Sequence, residues 1–349
     1  MSKWVVSEHI NIDHCPLPER DVNITDISIG DLHSNAIKLL YFLVRNAICK
    51  VLPSDYQRLV DIYRTTELTA ALLTEFNVIV TRMEIINQNV LVRLMGDEMG
   101  DRGSNDYFIL CLLQKLVQGK ANIIIVLSNH GAEFIDAYEQ YALHGHVFKA
   151  TLLNPLTLAR SLTGLGNIVT QGLITSNDVM HMIETSYKPL LRVLSYSLDS
   201  KTHGITVFSH AGIGLASIRE LAHFFEIQYN DHTSIELATT IDGINKAFVP
   251  YVASNTVHTL FSRDEMSTGY KDHIVFSHHN ALEFIIWNRS YSSLERPAVH
   301  NGYPLSFVHG HDKEKIANNI YGLDTELGKS PTQHSEWYVS LGSNEKQRT

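Results

Sequence analysis

The chain has 349 residues, 44% of them hydrophobic and 19% charged, which is ordinary globular composition and enough length to bury a sizeable core. A formal net charge of −9 and the lack of any Lys/Arg block argue against nucleic acid as the partner, because backbone binding needs clustered cations. Three cysteines without CxxC spacing exclude a disulfide framework or zinc knuckle, and no run approaches the ~18 apolar residues that span a bilayer.

Taken in chain order, alternation of apolar and polar residues predicts a strand over 23–29, which runs into Gly30-Asp31-Leu32-His33. Ser34 or Asn35 then caps a helix over 36–43. Ser54 and Asp55 suit the start of a second helix over 56–63. Thr66-Glu67 suits the start of a third, with Leu68, Leu72 and Phe76 on one face. A strand over 90–95 ends in Gly96-Asp97-Glu98-Met99-Gly100-Asp101-Arg102-Gly103 and leads to an amphipathic helix over 106–117. The apolar run 121–127 reads as a buried strand ending in Ser128-Asn129-His130-Gly131. Residues 150–200 read as mainly helical. Strands over 204–208 and 305–308 end in Ser209-His210-Ala211-Gly212 and His309-Gly310-His311-Asp312, and 320–324 reads as one more. The pattern is α/β, without internal repeats, and the polar tail 342–349 is expected to be disordered.

In open α/β sheets, ligands bind beyond the carboxyl ends of strands. Here five strand ends carry metal-ligand chemistry: Asp31 with His33, then Asp97, Asn129, His210 and His311. Singly, each is an ordinary turn; together and in this order they point to a metal centre. Carboxylate, imidazole and amide oxygen suit Mn²⁺, Fe or Zn²⁺ better than Ca²⁺, which wants oxygen alone. Asp31 and His33 are two apart and would point the same way from an extended segment. A carboxylate such as Asp97 can bridge two ions, and ions ~3.5–4 Å apart can clamp an in-line displacement.

The segments Gly30-Asp31-Leu32-His33, Gly96-Asp97 with Asp101-Arg102-Gly103, Asn129-His130, His210-Ala211-Gly212 and Gly310-His311 resemble the signature blocks of the phosphoprotein phosphatase family: GDxHG, GDxxDRG, GNHE, HGG or HAG, and GH. Ile286-Trp287-Asn288-Arg289 is similar to its Trp/Arg region, and Leu323-Asp324-Thr325 to its closing strand. The resemblance spans about residues 25–328 and extends to effector phosphatases of intracellular bacterial pathogens, such as the Wip proteins of Legionella. It implies a calcineurin-like metallophosphoesterase fold, with two packed mixed β-sheets flanked by helices and carrying helical insertions. It also implies two divalent ions, Mn²⁺ first and Fe or Zn²⁺ as alternatives. Asp31, His33 and Asp97 would hold one ion; Asp97, Asn129, His210 and His311 would hold the other. A hydroxide between them would attack a phosphate monoester in line. His130 would protonate the leaving group, Asp101 would orient His130, and Arg102 and Arg289 would bind the phosphoryl oxygens.

The pattern departs from the family in several places. Glu98-Met99-Gly100 puts one residue too many between Asp97 and Asp101, which Gly100 is expected to absorb as a bulge. Leu127 stands where the family has a phosphate-binding arginine, and Gly131 where it has glutamate. That puts a Ser/Thr rather than Tyr preference in question. About 65 residues separate Asp31 from Asp97, and about 100 separate His210 from His311, so helical insertion is expected, first at about 50–80. His309 is expected to act behind His311. His278 and His279 are expected to be surface residues.

The function expected is a metal-dependent phosphoprotein phosphatase acting on Ser/Thr or Tyr phosphoproteins, in one catalytic domain over 1–341. The alternatives are a nucleotide or diadenosine-polyphosphate hydrolase and a non-catalytic phosphatase-like scaffold. Turnover discriminates among them. Lacking a signal-peptide run, the chain is expected to be soluble and cytoplasmic without membrane insertion. As an effector it would act inside a host cell and meet host proteins.

Overall fold

A computed structural model describes residues 3–19, 23–145, 148–150, 157–261, 281–291, 294–314 and 318–341; His278, His279 and the tail 342–349 lie outside them. The chain runs through β1 (Lys3–Asn11), β2 (Ile24–Ile29), α1 (Ala36–Arg45), β3 (Cys49–Lys50), α2 (Pro53–Arg64), α3 (Ala70–Arg82), β4 (Glu84–Ile85), β5 (Leu91–Leu94), α4 (Asp106–Gln118) and β6 (Ile123–Val126). It continues through α5 (Asn129–His144), α6 (Arg160–Thr170), α7 (Ser176–Met182), β7 (Leu191–Arg192), β8 (Ser195–Asp199), β9 (Gly204–Ser209), α8 (Leu215–Phe224) and α9 (Ser234–Ala253). Last come α10 (Ala281–Trp287), β10 (Val299–His300), β11 (Tyr303–His309), β12 (Ile320–Gly322) and β13 (Thr332–Leu341).

Two mixed sheets form the centre. One has the order β1-β13-β2-β5-β6-β7, with β2, β5, β6 and β7 parallel and β13 antiparallel to both its neighbours. The other has the order β10-β11-β9-β8 with β12 also on β11; β9, β11 and β12 are parallel. Parallel strands put their carboxyl ends on one edge, so each sheet delivers several strand tips to the same side.

The sheets meet through an apolar layer of Met95, Val126, Phe208, Val308, Leu323 and Tyr338, with Phe208 edge-on to Tyr338 at 5.8 Å. Arg93 of β5 ties them across this layer. It is fully buried, donates from Nη1 to Asp26 Oδ1 of β2 (2.7 Å) and from Nε to Ser195 Oγ of β8 (2.8 Å), and lays its guanidinium 3.7 Å over the Phe208 ring. A buried charge survives only when paired and hydrogen-bonded in this way.

Local chemistry sets the element ends. Asn35 caps α1 by accepting from Ile37 N (3.0 Å) and Lys38 N (3.1 Å). Pro53, rather than Ser54 or Asp55, opens α2, as its fixed φ suits the first helical position. Thr69 caps α3, so Leu68 precedes the helix instead of lying on its face. The stretch 50–80 packs on the body: Tyr63 and Phe76 contact Phe108 of α4 at 5.6 and 4.5 Å. The helical expectation for 150–200 holds for α6 and α7 but fails at 191–199. There β7 and β8 pair with β6 and β9, because a partner edge decides what a short mixed segment adopts. All three cysteines are free, with Cys49 and Cys111 buried. Among the described residues, no helix is long and apolar enough to cross a membrane.

Candidate active site

Six strand ends converge where the two sheets share an edge. Asp31 follows β2, Asp97 follows β5, Asn129 follows β6, His210 follows β9, His311 follows β11, and Asp324 follows β12. All except Asp324 are at most 5% exposed. Hydrogen bonds stitch the tips together. Gly310 N donates to His210 O (2.8 Å), His311 N to Asp31 Oδ1 (2.9 Å), and Asp97 N to Ser128 Oγ (2.9 Å). Gly310 is obligatory: a Cβ there would fall 2.1 Å from Asp31 Oδ1. His33, Ser34, Asp97 and His311 all hold φ between 51° and 68°, a left-handed backbone that costs non-glycine residues energy and clusters at functional sites.

His210 shows the chemistry most directly. Its Nδ1 donates to Met95 O (2.8 Å), which leaves Nε2 with a bare lone pair. That lone pair faces Asn129 Oδ1 at 2.7 Å, His311 Nδ1 at 3.2 Å and Asp97 Oδ1 at 3.5 Å. Asn129 Oδ1 and Asp97 Oδ1 are acceptors turned on an acceptor, and His311 Nδ1 joins them in the tautomer that carries its proton on Nε2. Asp97 Oδ1 and His311 Nε2 are buried without a hydrogen-bond partner. Burial holds the His210 and His311 imidazoles below their ordinary pKa, so both are neutral and able to ligate. The donor set fits a cation.

On the other side, burial and the neighbouring Asp324 and Asp97 push the Asp31 carboxyl well above the carboxylate range. Asp31, Asp97 and His210 bring ligand atoms within 4.8 Å of one another, as do Asp31, His33 and Asp324, and His33, Asp97 and Asp101. These buried Asp and His groups are able to bind metal ions. Asp324 is a member that its place in the closing strand did not single out. Only its carboxylate chemistry, one residue past a strand-end leucine, hints at it.

His33 departs from expectation. The segment at 31–34 is not extended but turns left-handed into α1, so His33 does not simply parallel Asp31. Its Nδ1 lies 3.0 Å from Asp101 Oδ2; its Nε2 donates to Thr325 O (2.9 Å) and faces Asp324 Oδ1 at 3.3 Å. Burial pulls the imidazole down, but the bonds to Asp101 and Asp324 more than offset it, and its pKa stands above the ordinary value.

His130 is the second residue of α5, which begins at Asn129 and is capped by Ser128, not a loop tip. Its Nδ1 donates to Gly100 O (2.9 Å), and its Nε2 faces Asp101 Oδ1 at 3.5 Å and Asp97 Oδ2 at 4.0 Å. Gly100, at φ 69°, absorbs the extra residue, and Asp101 stays in reach of His130. Burial pushes Asp101 up, yet His130, His33 and Arg102 together hold it well below the usual carboxylate range. Arg102 donates to Asp101 Oδ1 at 2.7 Å and is 30% exposed at the rim. Arg289 stands close enough to His311 to add to the lowering that burial and His210 impose on its imidazole, and to offset in part the burial that raises the Asp312 carboxyl. Its loop is anchored by Asn288, which donates to Gly212 O (2.7 Å).

Other expectations resolve plainly. His309 lies 2.8 Å from Glu314 Oε2, directed away from the cluster, and Asp312 accepts from the Tyr291 hydroxyl. Glu98 turns inward to accept from Tyr187 OH (2.6 Å), and burial pushes its carboxyl up to about 8. Leu127 is buried in the core. Lys38, unremarked in the sequence pattern, is buried in α1 and donates to the carbonyls of Asp31 and Leu327; burial pulls its ammonium down to about 8. A lysine inside the apolar run of α1 was its only signal.

The family model described as "WipA-like, phosphatase domain" matches residues 91–329, leaving Asp31 and His33 outside the matched span. The structure is similar to the crystal structure of the phosphatase domain from the Legionella effector WipB, with a TM-score of 0.78 and 37% identity, covering 83% of this chain and 100% of that one. No curated protein matches. With more than half its length in the family model and that degree of identity to a solved relative, the chain belongs to the WipA-like phosphatase domain family.

Proposed function

We propose that this phosphatase domain is a metal-dependent phosphoprotein phosphatase of the PPP type with a calcineurin-like fold, acting within a single catalytic domain over 1–341. The observation that carries the reading is the His210 tip. There a neutral imidazole, an amide oxygen and a carboxylate turn their lone pairs toward one another, with a second imidazole beside them. Such an arrangement is unfavourable unless a cation joins them.

Asp97, Asn129, His210 and His311 would hold one divalent ion; Asp31 and Asp97, with Asp324 beside them, would hold the other, joined by His33 once its Nε2 gives up the bond to Thr325 O. Mn²⁺ is the expected metal. When bound, the ions supply Lewis acidity toward the phosphoryl group and an activated water. The chain's own residues do the rest. His130 is positioned by Gly100 O and gives a proton to the leaving-group oxygen. Asp101, 3.5 Å from its Nε2, orients that imidazole. Arg102 at the rim and Arg289 beside His311 bind the phosphoryl oxygens through charge-assisted bonds. The similarity to the WipB domain supports a role as a bacterial effector acting on host phosphoproteins.

The test is a substrate panel: phosphoserine and phosphotyrosine peptides beside a diadenosine polyphosphate, with Mn²⁺ added. Release of phosphate from peptides at rates far above the dinucleotide supports the reading. Preferential dinucleotide cleavage sinks it.

A further inference from the structure

Beside the acid-rich cluster lies a cleft of about 500 Å³ lined by Arg64, Arg102, Arg160 and Lys329 and, among the described residues, by no Asp or Glu. In a chain of net charge −9, this concentration of one sign is local and selective. The four cations come from separate parts of the chain. Arg64 ends α2, Arg102 follows the turn after β5, Arg160 opens α6, and Lys329 precedes β13.

Three of the four have a carboxylate partner outside the lining, Arg102 with Asp101 at 2.7 Å among them. Arg64 pairs with Asp13 at 2.7 Å, where both are partly exposed, and Lys329 reaches Glu326 only at 3.4 Å. Arg160 donates from Nε to Gly103 O (3.4 Å) and makes no ion pair with a described residue. Two neutral donors stand behind them. Asn105 is 1% exposed; its Oδ1 accepts from Tyr107 N (3.0 Å), while its Nδ2 has no hydrogen-bond partner. The Ser104 hydroxyl beside it is buried and likewise unpartnered. Both groups lie behind the cleft wall, Asn105 Nδ2 against Gly164 of α6, so the cations are what the cleft presents to a ligand.

The cleft adjoins the catalytic cluster. Arg102 belongs to both, and the bond from Asn35 Nδ2 to Gly328 O (2.8 Å) forms the partition toward His33. The geometry points to an anion subsite that takes a carboxylate or second phosphate flanking the phosphorylated residue of a peptide substrate, held by Arg64, Arg160 and Lys329. This rests on the phosphoprotein phosphatase reading. Guanidinium groups bind such oxygens bidentately, and a groove of one sign also speeds encounter with acidic segments.

The test uses the full chain with Mn²⁺ and three substrates: p-nitrophenyl phosphate, a phosphopeptide flanked on both sides by glutamates, and the same peptide flanked by glutamines. Wild type should show kcat/KM about tenfold higher for the glutamate peptide, mainly through KM. Arg160→Ser combined with Lys329→Ser should bring that ratio to about twofold or less. The same variant should leave p-nitrophenyl phosphate turnover and thermal stability unchanged. A ratio near one in wild type, with p-nitrophenyl phosphate still hydrolysed, overturns the subsite alone, as does a ratio that survives in the double variant. No hydrolysis of any substrate by wild type overturns the phosphatase reading, and the subsite with it.

Discussion

Tyr187 donates its hydroxyl proton to Glu98 Oε1 at 2.6 Å, directly beside Gly131. A Cβ at 131 would stand 2.9 Å from Ser128 Oγ, 3.2 Å from Glu98 Oε1 and 3.3 Å from Tyr187 OH. The extra residue in the Asp97–Asp101 turn and the small residue at 131 are thus two sides of one change: Glu98 fills the room beside Gly131. Ser128 Oγ also accepts from Asp97 N, so crowding at 131 reaches a ligand carboxylate. Gly131→Ala should cost about 1–3 kcal/mol of stability by overpacking. It should also lower kcat on p-nitrophenyl phosphate by about 10–100-fold, since a displacement near 1 Å is that costly. Urea unfolding and steady-state kinetics check both.

Glu98 and Asp106 set a pH dependence. Burial pushes Glu98 up to about 8 and Asp106 up to about 7. An unfolded carboxyl loses its proton near pH 4, whereas these keep theirs in the folded state up to pH 7–8. The folded chain therefore binds more protons than the unfolded one across that window, and stability falls as pH rises through it, by about 1.4 kcal/mol per unit per group. Glu98→Gln should flatten the fall. The depressed His210 and His311 add an opposing rise below about pH 6.5 to both proteins, so the difference between wild type and Glu98→Gln in urea midpoints of the chelated protein from pH 5 to 8 measures it. A difference that does not shrink as pH rises would contradict the assignment.

His130 as proton donor predicts a dependence on the leaving group. His130→Ala should slow hydrolysis of an alkyl phosphate such as phosphoserine by about 10²–10⁴-fold. The loss on p-nitrophenyl phosphate should be smaller, because p-nitrophenolate leaves without a proton. Asp101→Asn should follow the same order with a smaller loss, since Asp101 stands 3.5 Å from His130 Nε2 and acts through it. Equal losses on both substrates would remove His130 from this role.

Arg93 is the tie between the sheets. Arg93→Met strands the Asp26 carboxylate, its partner at 2.7 Å, and should cost about 3–5 kcal/mol. Adding Asp26→Asn should recover part of that loss, because no uncompensated charge then remains. A double-mutant cycle in urea reads the coupling.

Much of the site was legible because its side chains sit one to three residues past strands whose apolar periodicity is plain. Asp31, Asp97, Asn129, His210 and His311 meet because the parallel strands carrying them share an edge, and that follows from the α/β pattern. What escaped reading depends on tertiary partners. Asp324 joins through β12, a strand of only three residues. Lys38 earns its place from carbonyls distant in sequence, at Asp31 and Leu327. The turn of His33 toward Asp101 requires a left-handed backbone that nothing in Leu32-His33-Ser34 announces. The edge strand β1 and its neighbour β13 pair antiparallel over mostly polar residues, where alternation is weak, and β7 and β8 exist because neighbouring edges accept them.

The central claim is that the strand-end cluster is a metal centre for phosphate hydrolysis, and Asp97 stands in two of its three candidate ligand groups. The most direct measurement is p-nitrophenyl phosphate turnover after chelation and after restoring Mn²⁺, for wild type and for Asp97→Asn. The account predicts no turnover in the chelated protein, recovery in wild type with Mn²⁺, and loss of at least about 10³-fold in the variant. Turnover that persists after complete metal removal, or an Asp97→Asn protein as active as wild type, would contradict it.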